Sequence, residues 1–181
     1  MKNIAVIGGG AAGFFSAISV KTHYPNYNVA LFEKGSKILS KVKISGGGRC
    51  NVTNSTSDVS VLTKAYPRGG KKLKNIFHQF GTKHTRNWFE NRGVPLKVES
   101  DGRVFPISNS SQSIIDCLVN ECEKNNIKIE LLKSVIALSK VKSKWIIDFK
   151  DTSYSTPFDS VIVASGGFPK LKGFDWLKII G

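Results

Sequence analysis

Acidic residues are scarce in this chain: 13 Asp and Glu stand against 27 Lys and Arg, leaving a net charge of +14 over 181 residues. The shortage is local, because between Lys34 and Lys97 the only acids are Asp58 and Glu90. Cysteine is sparse too. Cys50, Cys117 and Cys122 form an odd set without metal-ligand spacing, which argues against a disulfide framework and a metal centre and suits a reducing cytoplasm. No uninterrupted apolar run approaches the roughly 18 residues of a membrane-spanning helix. The N-terminus lacks the basic region and small-residue cleavage site of a signal peptide. No internal repeat or low-complexity tract is evident. With 40% apolar residues the chain can still bury one ordinary globular core.

Glycine is abundant, and its placement carries the chemistry. Lys2–Ile7 is a short β-branched apolar run of the kind that forms a buried parallel strand. Gly8, Gly10 and Gly13 follow in the spacing G-x-G-x-x-G, and Ala11–Val20 reads as a helix with small residues toward the sheet. In such a unit the first glycine permits the tight turn, the second lets a pyrophosphate approach the backbone, and the third lets helix and strand pack closely. The helix N-terminus offers unpaired N–H groups and a partial positive charge. A second strand, Asn28–Phe32, ends at Glu33, about twenty residues past the last glycine, where an acid hydrogen-bonds a ribose hydroxyl. An acid at that place disfavours a 2′-phosphate, hence NADP.

A second bare-backbone stretch, Ser45-Gly46-Gly47-Gly48-Arg49-Cys50-Asn51-Val52-Thr53-Asn54, arrives soon after. Three consecutive glycines let backbone N–H groups come close to a ligand, Arg49 adds fixed charge, and Ser45, Asn51 and Thr53 add short donors. Two such turns in succession point to a long cofactor, FAD. Cys50 lies beside Arg49 and near Lys41 and Lys43, which could depress its pKa. Without a second cysteine in reach, a small packing residue is the better reading. His78 and His84 have no carboxylate partner nearby in sequence, and no catalytic acid or base is assigned.

These segments, with Glu33-Lys34, Lys41, Tyr66-Pro67-Arg68-Gly69, Asp101–Pro106 and Ala164-Ser165-Gly166-Gly167, resemble the bacterial flavoproteins called the aminoacetone oxidase or BaiN/RdsA family of NAD(P)/FAD-dependent oxidoreductases. The string S-G-G-G-R-C-N-x-T-N is the most specific match, and the likeness runs the length of the chain. It implies an α/β fold of the FAD/NAD(P)-binding, Rossmann-like glutathione-reductase type, a parallel sheet with a β-meander. It also implies an FAD-dependent oxidoreductase acting on a small-molecule substrate. By this resemblance Gly8, Gly10, Gly13 and Glu33 hold the ADP half of FAD, and Ala12 and Lys34 are further cofactor-binding candidates. The loop from Lys41 through Ser45, Gly46, Gly47, Gly48, Arg49 and Cys50 to Asn51 follows the pyrophosphate, ribityl chain and flavin. Val135, Ala164, Ser165 and Gly166 complete the candidate set, Ser165 replacing the usual Thr of an A-T-G-G turn. NAD(P)H as electron donor rests on the family label alone. Family members are considerably longer, so the chain is expected to be an N-terminal portion lacking the C-terminal half of the fold. A truncated, non-catalytic cofactor-binding fragment is therefore one alternative.

Three portions are expected: 1–54 with both glycine turns, 55–110 with helices and a hairpin, and 111–181 with a helix, a strand, a meander and a returning strand. Residues 55–60 read as a polar break. The span 72–92 reads as one or two helices interrupted near Gly81, and 96–106 as a hairpin about Ser100-Asp101-Gly102. A helix over 110–122 leads to a strand at 127–131. The meander takes 135–141, 145–149 and a third leg near 153–157, and the returning strand takes 159–164. A second alternative is nucleic-acid binding by the basic block, with Lys71, Lys72 and Lys74 beside Phe77, Phe80, Trp88 and Phe89. Those aromatics recur at helical spacing, which more often marks a core-facing stripe, so neither nucleic acid nor membrane is expected as a partner.

Overall fold

The structure is a computed structural model, and it describes residues 1–150, 156–167 and 171–180 of the chain. In order its elements are β1 (Asn3–Ile7), α1 (Ala11–His23), β2 (Asn28–Phe32), α2 (Ser40–Ile44), β3 (Thr53–Asn54), α3 (Val59–Lys64), α4 (Gly70–Gln79) and α5 (Thr82–Glu90). Next come β4 (Leu96–Val98), β5 (Arg103–Pro106), α6 (Gln112–Lys124), β6 (Lys128–Glu130), β7 (Val135–Val141), β8 (Lys144–Phe149) and β9 (Ser160–Val163). Short 3₁₀ segments lie at Ser45–Gly48 and Leu171–Ile180. Two compact units divide the chain: Met1–Ser40 with Leu118–Gly181, and Lys41–Cys117.

The first unit is built on a parallel sheet of order β6-β2-β1-β9. Because β1 and β2 are covered on both faces, they read as continuous apolar runs rather than alternating ones. On one face Ala5, Ile7, Ala30 and Phe32 cluster with Leu138, Ile147, Phe149 and Phe158. Phe32 anchors this cluster, its ring 5.0 Å from Phe149 and 5.8 Å, edge-on, from Phe158. Each such side chain contributes about 1.5–3 kcal/mol on burial. Helix α1 packs with β1 and β2 and buries Phe14, Ala17 and Ile18. The antiparallel pair β7 and β8 carries an irregularity between Val135 and Ala137. Of the expected third leg, 153–155 lie outside the described residues, and Phe158 makes an antiparallel bridge to Trp145. The 3₁₀ segment at Leu171–Ile180 has no counterpart in the sequence reading.

The second unit carries an antiparallel sheet of order β3-β5-β4 beside α3, α4 and α5. Its hairpin turns at Ser100-Asp101-Gly102 as expected, with Gly102 at φ +81°. Helix α3 begins inside the stretch expected to be a polar break. Asp58 is its N-cap, its carboxylate accepting the N–H groups of Ser60 (2.7 Å) and Val61 (3.1 Å). The helical span beyond divides at Gly81, where a Cβ would stand 2.6 Å from the Phe77 carbonyl. That division overturns the expected core stripe. Phe89 on α5 is buried, but α4 buries no residue and Phe80 remains 37% exposed. Spacing continuous along the sequence is split between two helices, so the four aromatics share no single face.

Candidate cofactor site

At the carboxyl ends of β1 and β2 the glycine turn has a distinct reason for each residue. Gly8 sits at φ +118°, and a Cβ there would lie 2.4 Å from the Ala164 carbonyl oxygen. At Gly13 a Cβ would lie 1.8 Å from the Gly8 carbonyl oxygen, so α1 can approach β1 only without a side chain. Gly9 is confined by Glu33, whose Cβ would be 2.9 Å from an added Cβ. Gly10 differs: a Cβ there meets nothing within 4 Å. It is the N-cap of α1, without a capping side chain and without an acid in the first turn, so open space adjoins the helix N-terminus.

Glu33 closes one edge of this turn. Its carboxylate accepts the Gly9 N–H (2.7 Å) and the Gly35 N–H (2.8 Å). Each oxygen keeps a lone pair, so the carboxylate can still accept from a ribose hydroxyl. A small cavity of about 60 Å³ brings Gly8, Glu33, Lys34, Val135 and Ser165 together with Lys133, Ser134 and Trp176. The last three escaped the sequence reading because they arrive from distant segments. Lys133 is anchored by its N–H to the Glu33 carbonyl at 2.8 Å, and the Trp176 indole N–H donates to the Gly173 carbonyl at 3.1 Å. The Ala164–Gly167 turn starts where the Ala164 N–H donates to the Ile7 carbonyl (2.8 Å), and Gly166 takes φ +74°. Ala12 lies in the exposed first turn of α1.

The second glycine turn lies in the second unit. Gly46, Gly47 and Gly48 take φ +56°, +68° and +85°, a left-handed run that costs an L-residue roughly 1–2 kcal/mol per position. Gly46 is also closed in, since a Cβ would come 2.8 Å from the Asn51 nitrogen and 2.9 Å from the Phe105 ring. Gly47 has nothing within 4 Å. Buried Ser111 ties the turn down, its N–H donating to the Gly48 carbonyl and its hydroxyl to the Lys43 carbonyl, each at 2.8 Å. The Ser45 hydroxyl donates to the Val42 carbonyl at 2.9 Å. The Asn51 side chain faces the Thr53 and Val104 carbonyls, and with its amide turned so that the nitrogen meets them it donates to both, at 2.9 and 3.2 Å.

Arg49 is already engaged. Its guanidinium pairs with Glu99 and lies 4.0 Å from the Phe105 ring centroid, while Arg103 approaches the same ring at 5.4 Å. Part of the fixed charge expected from Arg49 is thus spent on the hairpin. Lys41 and Lys43 are exposed and make no ion pair among the described residues. Cys50 is buried at φ +61°, and burial pushes its thiol up despite the Ser45 hydrogen bond that opposes it. A thiol so placed is a packing residue rather than a thiolate nucleophile.

A parallel sheet, a glycine turn with one open position at a helix N-terminus and an acid closing the edge define a Rossmann-type dinucleotide-binding domain. FAD is the cofactor the fold serves, and the open Gly10 edge beside the Glu33 carboxylate fits its ADP half. The match to the HI0933-like protein Rossmann domain over residues 2–172 places the chain in that family.

The 3-dehydro-bile acid delta(4,6)-reductase of Clostridium scindens is 32% identical over 92% of this chain and 39% of its own length. A ribosomal RNA dihydrouridine synthase of Escherichia coli is 30% identical over 90% of the chain and 38% of its own. The chain thus spans about two-fifths of the curated relatives it matches. Among solved structures, the open conformation of a flavocytochrome c3 fumarate reductase superposes with a TM-score of 0.69 at 23% identity, covering 96% of this chain and 35% of that one. The 3-ketosteroid-delta4-(5alpha)-dehydrogenase of Rhodococcus jostii RHA1 gives 0.67 at 14% identity, covering 92% and 46%. Among the described residues no helix is long and apolar enough to cross a membrane.

Proposed function

We propose that the protein reduces a carbon–carbon double bond conjugated to a carbonyl, with FAD as the hydride carrier and NAD(P)H as the electron donor. The two curated relatives support this chemistry. One is named for reducing double bonds in a 3-keto bile acid, the other for forming dihydrouridine, a uridine whose ring double bond has been reduced beside a carbonyl. A small conjugated ketone and a uracil ring present the same electrophilic carbon. Bound FAD supplies reversible two-electron chemistry, and the protein supplies binding, orientation and electrostatics.

The open Gly10 position beside Glu33 is the observation that carries the reading. In this proposal Gly8, Gly10, Ala12 and Gly13 present backbone to the diphosphate, and Glu33 accepts from a ribose hydroxyl. Lys34, Val135, Ala164, Ser165 and Gly166 surround the adenosine end. Lys41, Ser45, Gly46–Gly48, Arg49, Cys50 and Asn51 form a second cradle, to which the side-chain-free glycines offer backbone N–H groups and Lys41 contributes charge. Arg49, held by Glu99 and Phe105, keeps that cradle in shape. Three buried cysteines suit a cytoplasmic setting.

The protein purified with FAD should be yellow, and NADH or NADPH should bleach it anaerobically. Its colour should return on adding an α,β-unsaturated ketone or a uridine-containing RNA. Failure to retain FAD overturns the proposal, and failure of both acceptors overturns the reaction class.

A further inference from the structure

We infer that the groove between α3 and the start of α4 docks the phosphodiester backbone of RNA. The inference goes beyond the reductase reading and rests on it only for the choice of RNA over other polyanions. Lys64, Lys71, Lys72 and Lys74 line a groove of about 660 Å³, with Tyr66 at its side. All four lysines are exposed, and among the described residues none has a carboxylate in an ion pair with it.

The reason lies in the local sequence. Across 41–97 the only acids are Asp58 and Glu90, and both are committed elsewhere. Asp58 caps α3, and Glu90 pairs with Arg86 at 3.4 Å on α5. Four like charges therefore converge on one concavity with no internal counter-charge, an arrangement that a chain of phosphates relieves. The groove is fixed rather than incidental. Gly69 takes φ +84°, and a Cβ on Gly70 would strike the Thr63 carbonyl at 2.6 Å, so α3 and α4 close its floor.

Beside the lysines, Tyr66 is 41% exposed and its ring stands 5.3 Å from Phe77. An aromatic face next to a basic track is the pairing that single strands use, bases stacking while phosphates meet cations. The spacing of Phe77 with Phe80, Trp88 and Phe89 predicts a core-facing stripe, but α4 buries none of its residues. That helix is left facing solvent with its lysines.

Fluorescence anisotropy of a labelled, mixed-sequence single-stranded RNA tests this across a salt series. Affinity should fall steeply with salt, and Lys71→Ala/Lys72→Ala/Lys74→Ala should flatten the log–log slope by about 2. Tyr66→Ala should weaken binding about tenfold and leave the slope unchanged. Lys71→Glu/Lys72→Glu should abolish binding, whereas Lys142→Glu/Lys150→Glu, an equal charge change in the β7–β8 turn and just past the end of β8, should not. Equal loss in both double variants, or tighter binding to phosphatidylglycerol vesicles than to RNA, overturns the inference. FAD content is read on the same samples. Loss of flavin with RNA binding intact fails the cofactor reading alone, and the reverse fails this one alone.

Discussion

Replacing Gly10 by Val separates the two jobs that glycines perform in the first turn. Gly10 has φ −92° and ψ −175°, extended values open to any L-residue, and an added Cβ has no neighbour within 4 Å. The fold should lose at most about 1 kcal/mol, the usual cost of a poor N-cap residue. Any diphosphate seated on that edge, however, would meet the new isopropyl group. Losing two charge-assisted hydrogen bonds at about 1.5–3 kcal/mol each predicts FAD affinity weaker by roughly 10²- to 10⁴-fold. Gly13→Ala should do the opposite. Its Cβ would sit 1.8 Å from the Gly8 carbonyl oxygen, so helix and strand must part, a strain of about 1–3 kcal/mol or more. Flavin titration by fluorescence quenching, paired with urea unfolding of the apoprotein, reads both quantities. Gly10→Val with unchanged FAD affinity would refute the assignment of this open edge to the diphosphate. A Gly13→Ala variant as stable as the parent would refute the packing argument.

Glu99→Gln should lower the urea midpoint by an amount worth about 1 kcal/mol, discounted for partial exposure, because it removes the acid paired with Arg49 while Arg103, held by Asp101, stays on the same Phe105 ring. An unchanged midpoint would show the hairpin does not depend on that pair. Asp159 gives a pH signature. Its hydrogen bonds from the Lys144 ammonium and the Asn3 N–H (2.8 Å) hold its carboxyl below the usual carboxylate range. A depressed folded pKa contributes stability that is present above the unfolded value of about 3.9 and lost as pH falls through the folded one. Asp159→Asn should thus be destabilised at neutral pH and converge with the parent on acidification, as followed by circular dichroism. Parallel stability curves would refute it.

What could be read from the sequence was local. β2 occupies Asn28–Phe32 as the apolar run required, and the helical span breaks at Gly81. Both outcomes depend on residues within one turn of each other. The meaning of each glycine was not local. G-x-G-x-x-G treats its positions by rule, yet Gly8 is a glycine because of the Ala164 carbonyl, more than 150 residues away, and Gly13 because of Gly8 itself. Only Gly10 is left with empty space. Likewise Ser111 secures the Gly46–Gly48 turn from far along the chain, and no spacing rule points to it. The aromatic stripe failed for the converse reason: helical periodicity was correct within α4 and α5 separately, but the chain turns between them. A motif therefore names the residues of a cradle. Which of them faces the ligand, and which merely lets the backbone pass, is decided by neighbours that local pattern cannot see.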